Sequence, residues 1–328
     1  MAFVIPAYNE ARFVSETLDR IHAAMDGGHA YEIVVVDHGS SDGTARLARR
    51  HGATVVVHES GTVAALRNVG VRHTSGEIIV FLDADVFVTP AWAQRFTATL
   101  AALEDRPRML TGSWCGIPAR PGWIERFWFA PLLHGHNTHI NSGHLITTRA
   151  FFEELGGFAE SLETGEDYDL SMRAIERGGE VVEDPRLAVE HMGYPRTVPE
   201  FVRREAWHGR GDFVSITMAL RSKIAVATIA FVTLHIVLAG ALAAGSAAAA
   251  AAAATAILAL CLCASWLKYR GHGVRNIPIN TVLYYLYFVG RSAALFGALL
   301  PGRGRKRQRS PLPQPAGAEA APPDGHAP

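Results

Sequence analysis

Residues 78–85 read Ile78-Ile79-Val80-Phe81-Leu82-Asp83-Ala84-Asp85, an apolar strand that ends abruptly on two carboxylates. Outward from it, the runs Phe3-Val4-Ile5, Glu32–Val36 and Thr54–Val57 have the same strand-like character. Between the first two of these, Val14, Leu18, Ile21 and Met25 recur at helical spacing and share one face. Strands alternating with amphipathic helices predict an α/β fold with a mostly parallel sheet, flanked by helices and joined by right-handed crossovers. Such sheets gather their ligands at the carboxyl ends of the strands, so the residues after each strand carry the functional information. Residues 116–222 are less regular, with several aromatics and Gly and Pro breaks, and should extend the sheet. No internal repeat is visible.

Two carboxylates one residue apart at a strand end, Asp83 and Asp85, can converge on one hard divalent cation. Such a cation neutralises a nucleotide diphosphate and stabilises it as a leaving group. The plain alternative is a surface turn with two solvated aspartates. A second strand ends in Val36-Asp37-His38-Gly39-Ser40-Ser41-Asp42-Gly43-Thr44. Asp37 is placed to accept hydrogen bonds from a base or ribose, whereas Asp42 and Gly43 are accounted for by capping and turn chemistry. Two further loops follow the same logic: Pro6-Ala7-Tyr8-Asn9-Glu10 after the first strand, and Arg67-Asn68-Val69-Gly70, where a cation could meet the diphosphate. Finally, Gly165-Glu166-Asp167-Tyr168-Asp169-Leu170 opens a helix running to Arg177. Acidic residues suit a helix N-terminus in any case. They also suit a general base that takes a proton from an acceptor hydroxyl. Glu166 and Asp167 point in different directions on that turn, and Asp167 is expected to be the one that reaches substrate.

Taken together, VIPAYNE, VVVDHGSSDGT, LRNVG, FLDADV and GEDYDLSMR resemble, in order and spacing across residues 2–215, glycosyltransferase family 2, inverting enzymes with a GT-A fold. The resemblance implies Mn²⁺ or Mg²⁺ held at Asp83 and Asp85 and a catalytic base at Asp167, next to Glu166. It implies nucleotide binding by Pro6, Ala7, Tyr8, Glu10, Asp37, Arg67 and Asp83. A late-strand histidine that completes the metal site would be His191, after Leu187–Glu190. Many relatives carry a second Asp, often in contact with the base, where this chain has His38. Arg203, Arg204 and Trp207 only loosely resemble the QxxRW signature of processive members, which disfavours polymerisation with extrusion; contacts to the diphosphate, to an acceptor headgroup or to the membrane interface are the options for them.

The chain has 328 residues, with Lys and Arg totalling 31 and Asp and Glu totalling 31, so it lacks the net basic field of a general nucleic-acid binder. Its three cysteines, Cys115, Cys261 and Cys263, are too few and too oddly placed for a disulfide framework. After Lys223 the composition changes. Residues 224–244 and 247–267 carry no formal charge and approach the roughly 20 residues needed to span hydrocarbon. A third apolar stretch, 277–300, contains Pro278 and Arg291, and an in-plane or re-entrant helix avoids the ~2.5–3.5 kcal/mol cost of a mid-membrane Arg. The basic segments 268–275 and 303–309 would face the cytoplasm. The expected organisation is a catalytic domain over 1–222 facing the cytoplasm, a multi-pass anchor over 223–300, and a disordered Pro/Ala-rich tail over 301–328. The expected partners are a nucleotide-diphosphate sugar, a lipid-linked or saccharide acceptor and membrane lipids. Two rivals stand beside this reading. A nucleotidyltransferase would carry a Gly-rich basic loop after the first strand, and Pro6–Glu10 has no Lys. A non-catalytic membrane scaffold with a decayed transferase domain would lack metal-dependent nucleotide binding. A transferase acting on polyprenyl phosphate would need no base, because that acceptor is already an anion.

Overall fold

The computed structural model describes residues 1–26, 28–132, 139–213, 219–220, 222–272 and 274–299; the tail over 301–328 lies outside them. The chain divides into two compact units. One takes Met1–Ala119 and the described part of Leu133–Gly193; the other takes Arg120–Leu132 and continues from Tyr194 through the apolar helices. The division differs from a boundary at 222/223 drawn on composition, because the 120–132 segment and the helix Val198–His208 belong with the apolar helices.

In the first unit, strands β1 (Ala2–Ala7), β2 (Glu32–Asp37), β3 (Thr54–Val57), β4 (Ile78–Leu82), β6 (Met109–Gly112), β8 (His144–Thr148) and β9 (Glu180–Glu183) form one sheet in the order β3-β2-β1-β4-β8-β6-β9. The pairs among β1 to β4 are parallel, as is β6 with β9, while β8 runs antiparallel to both its neighbours. That reversal matters for the site: the residues leading into β8 arrive beside the carboxyl end of β4. A smaller sheet, β5 (Val86–Val88), β10 (Val189–His191) and β7 (Cys115–Gly116), follows the Asp83–Asp85 turn.

Strand side chains alternate between two faces. From β1, Phe3 and Ile5 pack with Val14, Leu18, Ile21 and Met25 of helix α1 (Val14–Met25) and with Trp92, Phe96 and Leu103 of the helix Pro90–Asp105. Val4 points to the opposite face, among Ile79, Phe81, Phe151, Phe152 and Leu170. Each face of the sheet therefore has its own apolar layer under helices, which is why the central strands read as continuous apolar runs.

In the second unit, the helix Val198–His208 is closed at its start by a capping box between Thr197 and Glu200. It is followed by three long helices, Lys223–Ala243, Ala247–Tyr269 and Ile277–Leu299. The first two are long and apolar enough, by length and composition, to cross a membrane. Only 17% and 22% of their most apolar windows are buried in the protein, unlike the core helix of a soluble domain. The third is a continuous helix, and its Arg291 is neutralised by protein: the guanidinium meets Asp212 at 2.7 Å and Glu205 at 3.1 Å.

Candidate active site

The loops after β1 and β2 lock into one another. Asn9, with φ of 56°, accepts at its side-chain oxygen from the Ser41 amide at 2.9 Å, and its own amide donates to Ser40 Oγ at 2.9 Å. The Glu10 amide donates to Thr44 Oγ1 and the Ala11 amide to Asp42 Oδ2. Asp42 also accepts from the amide and hydroxyl of Thr44, but the N-cap of the helix Thr44–Arg50 is Gly43, with no side-chain cap bond, so Asp42 holds the turn before the helix rather than capping it. Pro6 and Ala7 are buried strand residues, and the Ala7 carbonyl takes the His38 amide. Asp37 is 2% exposed: one carboxylate oxygen accepts from the Ser40 amide, and the other has no partner among the described residues. A buried acceptor left open is costly unless a ligand supplies the donor.

His38 lies edge-on to Tyr8, and its Nδ1 is 2.8 Å from the His58 carbonyl. A carbonyl only accepts, so Nδ1 carries the proton and Nε2 of the neutral ring is an acceptor. His38 therefore offers an acceptor at Nε2 beside the Tyr8 ring.

The second half of the site forms around Arg67, 2% exposed on the helix α3 (Val63–Arg72). Its guanidinium bridges Asp83 Oδ1 at 2.6 Å and Glu166 Oε1 at 2.9 Å. Ser142 Oγ donates to the same oxygen of Glu166 at 2.9 Å. The Asp83 amide donates to the Gly143 carbonyl, and a Cβ on Gly143 would come within 2.7 Å of Asp83 Oδ2 and 2.8 Å of Asn141 Oδ1, so a larger residue there would displace these side chains. Glu166 is buried, whereas its neighbour Asp167 is half-buried and holds only long contacts, 3.3 Å from Asn141 Nδ2 and 3.4 Å from the Ser142 amide, besides a local bond to the Tyr168 amide. The two acidic residues therefore face different ways, with Asp167 the more accessible.

On the other side of the turn, β5 pairs antiparallel with β10 and sets His191 opposite Val86. His191 Nε2 lies 3.3 Å from Asp85 Oδ2, and a Cβ on Gly193 would overlap that same oxygen. Burial by itself would raise the Asp85 carboxyl; the imidazole beside it outweighs this and holds it below the ordinary range. Burial, joined by the charges of Asp85, Asp83 and Asp42, pushes the Glu10 carboxyl up to about 9. Carboxylates thus outnumber cations at these strand ends, with the buried charge of Arg67 already committed to Asp83 and Glu166.

Such a cluster suits an added cation. Asp85 and His191 offer a hard oxygen and an imidazole nitrogen side by side, though among the described residues no three His, Cys, Asp or Glu side chains are grouped to hold a metal by themselves. The donor set fits a divalent ion whose remaining positions are filled by phosphate oxygens and water, as is usual for Mg²⁺. Of the residues singled out in the sequence, Glu10, Arg67, Asp83, Asp85, Glu166, Asp167 and His191 form this cluster, and Asp37, His38 and Tyr8 lie at the neighbouring strand ends. Arg203, Arg204 and Trp207 lie in the helical unit, where Arg204 pairs with Glu205 at 2.7 Å and Trp207 meets the His208 ring. Sequence reading passed over Asn141, Ser142, Gly143 and Gly193, whose importance comes from the reversed strand β8 and from β10 rather than from any local pattern.

This fold, with carboxylates gathered at the ends of β1 and β4 and the start of the helix α6 (Glu166–Glu176), defines an α/β domain with its site at the strand ends. Residues 2–142 match the family model "Glycosyl transferase family 2". Over these residues the chain is similar to family 2 glycosyltransferases, and its sheet has the GT-A arrangement. It is 32% identical over 108 residues to the glycosyltransferase AglE of Haloferax volcanii, covering 31% of this chain and 35% of that one. It is 41% identical over 95 residues to an undecaprenyl-phosphate 4-deoxy-4-formamido-L-arabinose transferase of Edwardsiella ictaluri, covering 26% and 29%. The chain thus spans about a third of the length of these two curated relatives. Among solved structures, the mannosyltransferase PcManGT from Pyrobaculum calidifontis, in complex with GDP-Man and Mn²⁺, superposes with a TM-score of 0.53 at 23% identity, over 90% of this chain and 87% of that one.

Proposed function

We propose that this protein transfers a sugar, with inversion, from a nucleotide-diphosphate donor to an acceptor hydroxyl at the cytoplasmic face of a membrane. The acceptor class is a lipid-linked saccharide or a cell-surface polysaccharide precursor. The observation that carries the reading is the gathering of Glu10, Asp83 and Asp85 at the ends of β1 and β4, with Asp83 tied through the buried Arg67 to Glu166, next to Asp167. Asp37, with one open oxygen, accepts from the nucleoside, and His38 Nε2 accepts from a base N–H. Asp85 and His191, with Asp83, would hold Mn²⁺ or Mg²⁺, which when bound neutralises the diphosphate leaving group. Arg67 keeps Asp83 and Glu166 in place, and Glu166 with Ser142 fixes the turn that presents Asp167. Asp167 accepts the acceptor proton late, as the bond to the anomeric carbon forms; its value is positional, since a carboxylate is a weak base toward a free hydroxyl.

Membrane attachment rests on the two sparsely buried apolar helices. A second acceptor, polyprenyl phosphate, is favoured by the activity named for the Edwardsiella relative. Titration calorimetry of the full chain in detergent with UDP and GDP, with and without Mn²⁺, tests the proposal. Metal-dependent binding that survives Asp167→Asn, with sugar transfer abolished in that variant, is the expected result. Binding of neither nucleotide in the presence of metal would instead favour the scaffold, and wild-type turnover by the variant would remove Asp167 as base.

A further inference from the structure

The helical unit contains a cation that the transfer reaction described above does not use. Lys268 occupies the last turn of the helix Ala247–Tyr269, and its Nζ sits 4.1 Å from the centre of the Trp128 ring, 5.4 Å from that of Tyr269 and 5.9 Å from that of Tyr284. No described residue makes a hydrogen bond or ion pair with this ammonium, although it has three donors. The Tyr284 hydroxyl likewise bonds to no described residue.

The surroundings are cationic on balance. Glu205 is 2% exposed and its two oxygens are taken by Arg204 at 2.7 Å and Arg291 at 3.1 Å. Asp212 is taken by Arg291 and by Ser222. The rings join the group: Trp128 packs against Tyr287, over which Arg291 lies at 4.8 Å, and Arg204 lies over Phe129 at 5.0 Å. Arg204, Arg291 and Lys268 thus face two carboxylates that the arginines already occupy, and the charge left over is that of Lys268. His208 adds none near neutral pH, because burial and the charges of Arg204 and Arg291 push it down to about 3.

A lysine in the last turn of an apolar helix commonly snorkels to water and favours the helix dipole. Here the ammonium lies over an indole face instead, at the distance of a cation–π contact, which leaves its hydrogen-bonding capacity open. Beside it, Trp266, Leu267 and Leu262 of the same helix are exposed at 46%, 62% and 45%. These exposed side chains lie on other faces of the helix than Lys268 and mark an apolar environment around it at that level.

We propose that Lys268 is the recognition point for the phosphate of a membrane lipid, seated on Trp128, Tyr269 and Tyr284. The proposal rests on the membrane reading above. Two sources share this chemistry: the monophosphate of a polyprenyl acceptor and the phosphodiester headgroup of a bilayer lipid. The test is native mass spectrometry of the full chain in detergent, titrated with undecaprenyl phosphate, undecaprenol or phosphatidylglycerol, for wild type, Lys268→Met and Lys268→Arg. Wild type should retain undecaprenyl phosphate at least about tenfold better than undecaprenol. Lys268→Met should lose that preference and Lys268→Arg should recover part of it. Phosphatidylglycerol retained as well as undecaprenyl phosphate, and lost with it in Lys268→Met, would support the site and assign it to bilayer headgroups. A phosphate preference unchanged in a Lys268→Met protein that melts like wild type would overturn the proposal. Should Lys268→Met fail to fold, the neutral Lys268→Gln takes its place, and an undiminished preference there has the same meaning. Failure of the membrane reading is seen separately, as wild-type protein recovered in the soluble fraction.

Discussion

Arg67-Asn68-Val69-Gly70 reads in sequence as a polar loop with a cation free to meet a diphosphate, yet in the fold all four lie on a buried helix and each has a packing task. Arg67 ties Asp83 to Glu166. Removing either end of a buried ion pair of this kind costs about 3–5 kcal/mol, because the partner charge stays behind. Asn68 clamps the loop before α6, donating to the Phe158 carbonyl at 2.8 Å and accepting from its amide at 3.0 Å. Gly70 lets the helix settle on the sheet: a Cβ there would overlap Val4 and lie 3.1 Å from Val36 Cγ2. Gly70→Ala should therefore destabilise the domain by roughly 1–3 kcal/mol through overpacking. Thermal melts monitored by near-UV circular dichroism would check this, and an unchanged melting temperature would refute the close-approach argument.

Among the elements, the reversed strand β8 links the core to the site. His144, at its start, is fully buried and receives a hydrogen bond from the Trp92 indole at 2.8 Å. On its other side Nδ1 lies 3.0 Å from the Ser113 amide and 3.1 Å from Ser113 Oγ, which in turn donates to the Leu187 carbonyl. This relay ties the helix Pro90–Asp105 to β8 and to the segments before β7 and β10, just beneath the Asp83 turn. Burial lowers His144 from 6.5 to about 4, against a smaller opposing effect of the Ser113 amide. Between those values the unfolded chain takes up a proton that the folded state refuses, so stability falls as pH drops from about 6.5 to about 4. At ~1.4 kcal/mol per pH unit, the loss from this group reaches about 3 kcal/mol. Melting temperatures of wild type and His144→Gln across pH 7 to 4.5 should show a shallower decline for the variant. Parallel declines would mean that other groups govern the acid sensitivity.

For the whole molecule, the informative contrast is between two units that place their apolar residues differently. The first buries its apolar residues on both faces of a sheet, while the long helices Lys223–Ala243 and Ala247–Tyr269 leave most of their apolar surface outward. Exposed apolar area on that scale is costly in water, about 25 cal/mol per Å². The full chain is expected to sediment with membranes, to resist extraction by high salt or carbonate and to dissolve in detergent. Release by salt alone would point to peripheral attachment.

The first four strands of the sheet, the buried face of α1 and the position of carboxylates at strand ends were legible in the sequence. Strand and helix periods, turn residues and caps are written in contiguous residues, and local physics decodes them. The tertiary structure alone decided that Arg67 faces inward to Asp83 and Glu166, 16 and 99 residues away, and that His191 lies against Asp85. It also decided that Gly143 is delivered to the Asp83 turn by a strand running against its neighbours. Those choices depend on which distant segments pack together, and on a buried charge finding its partners only once the chain has closed around it.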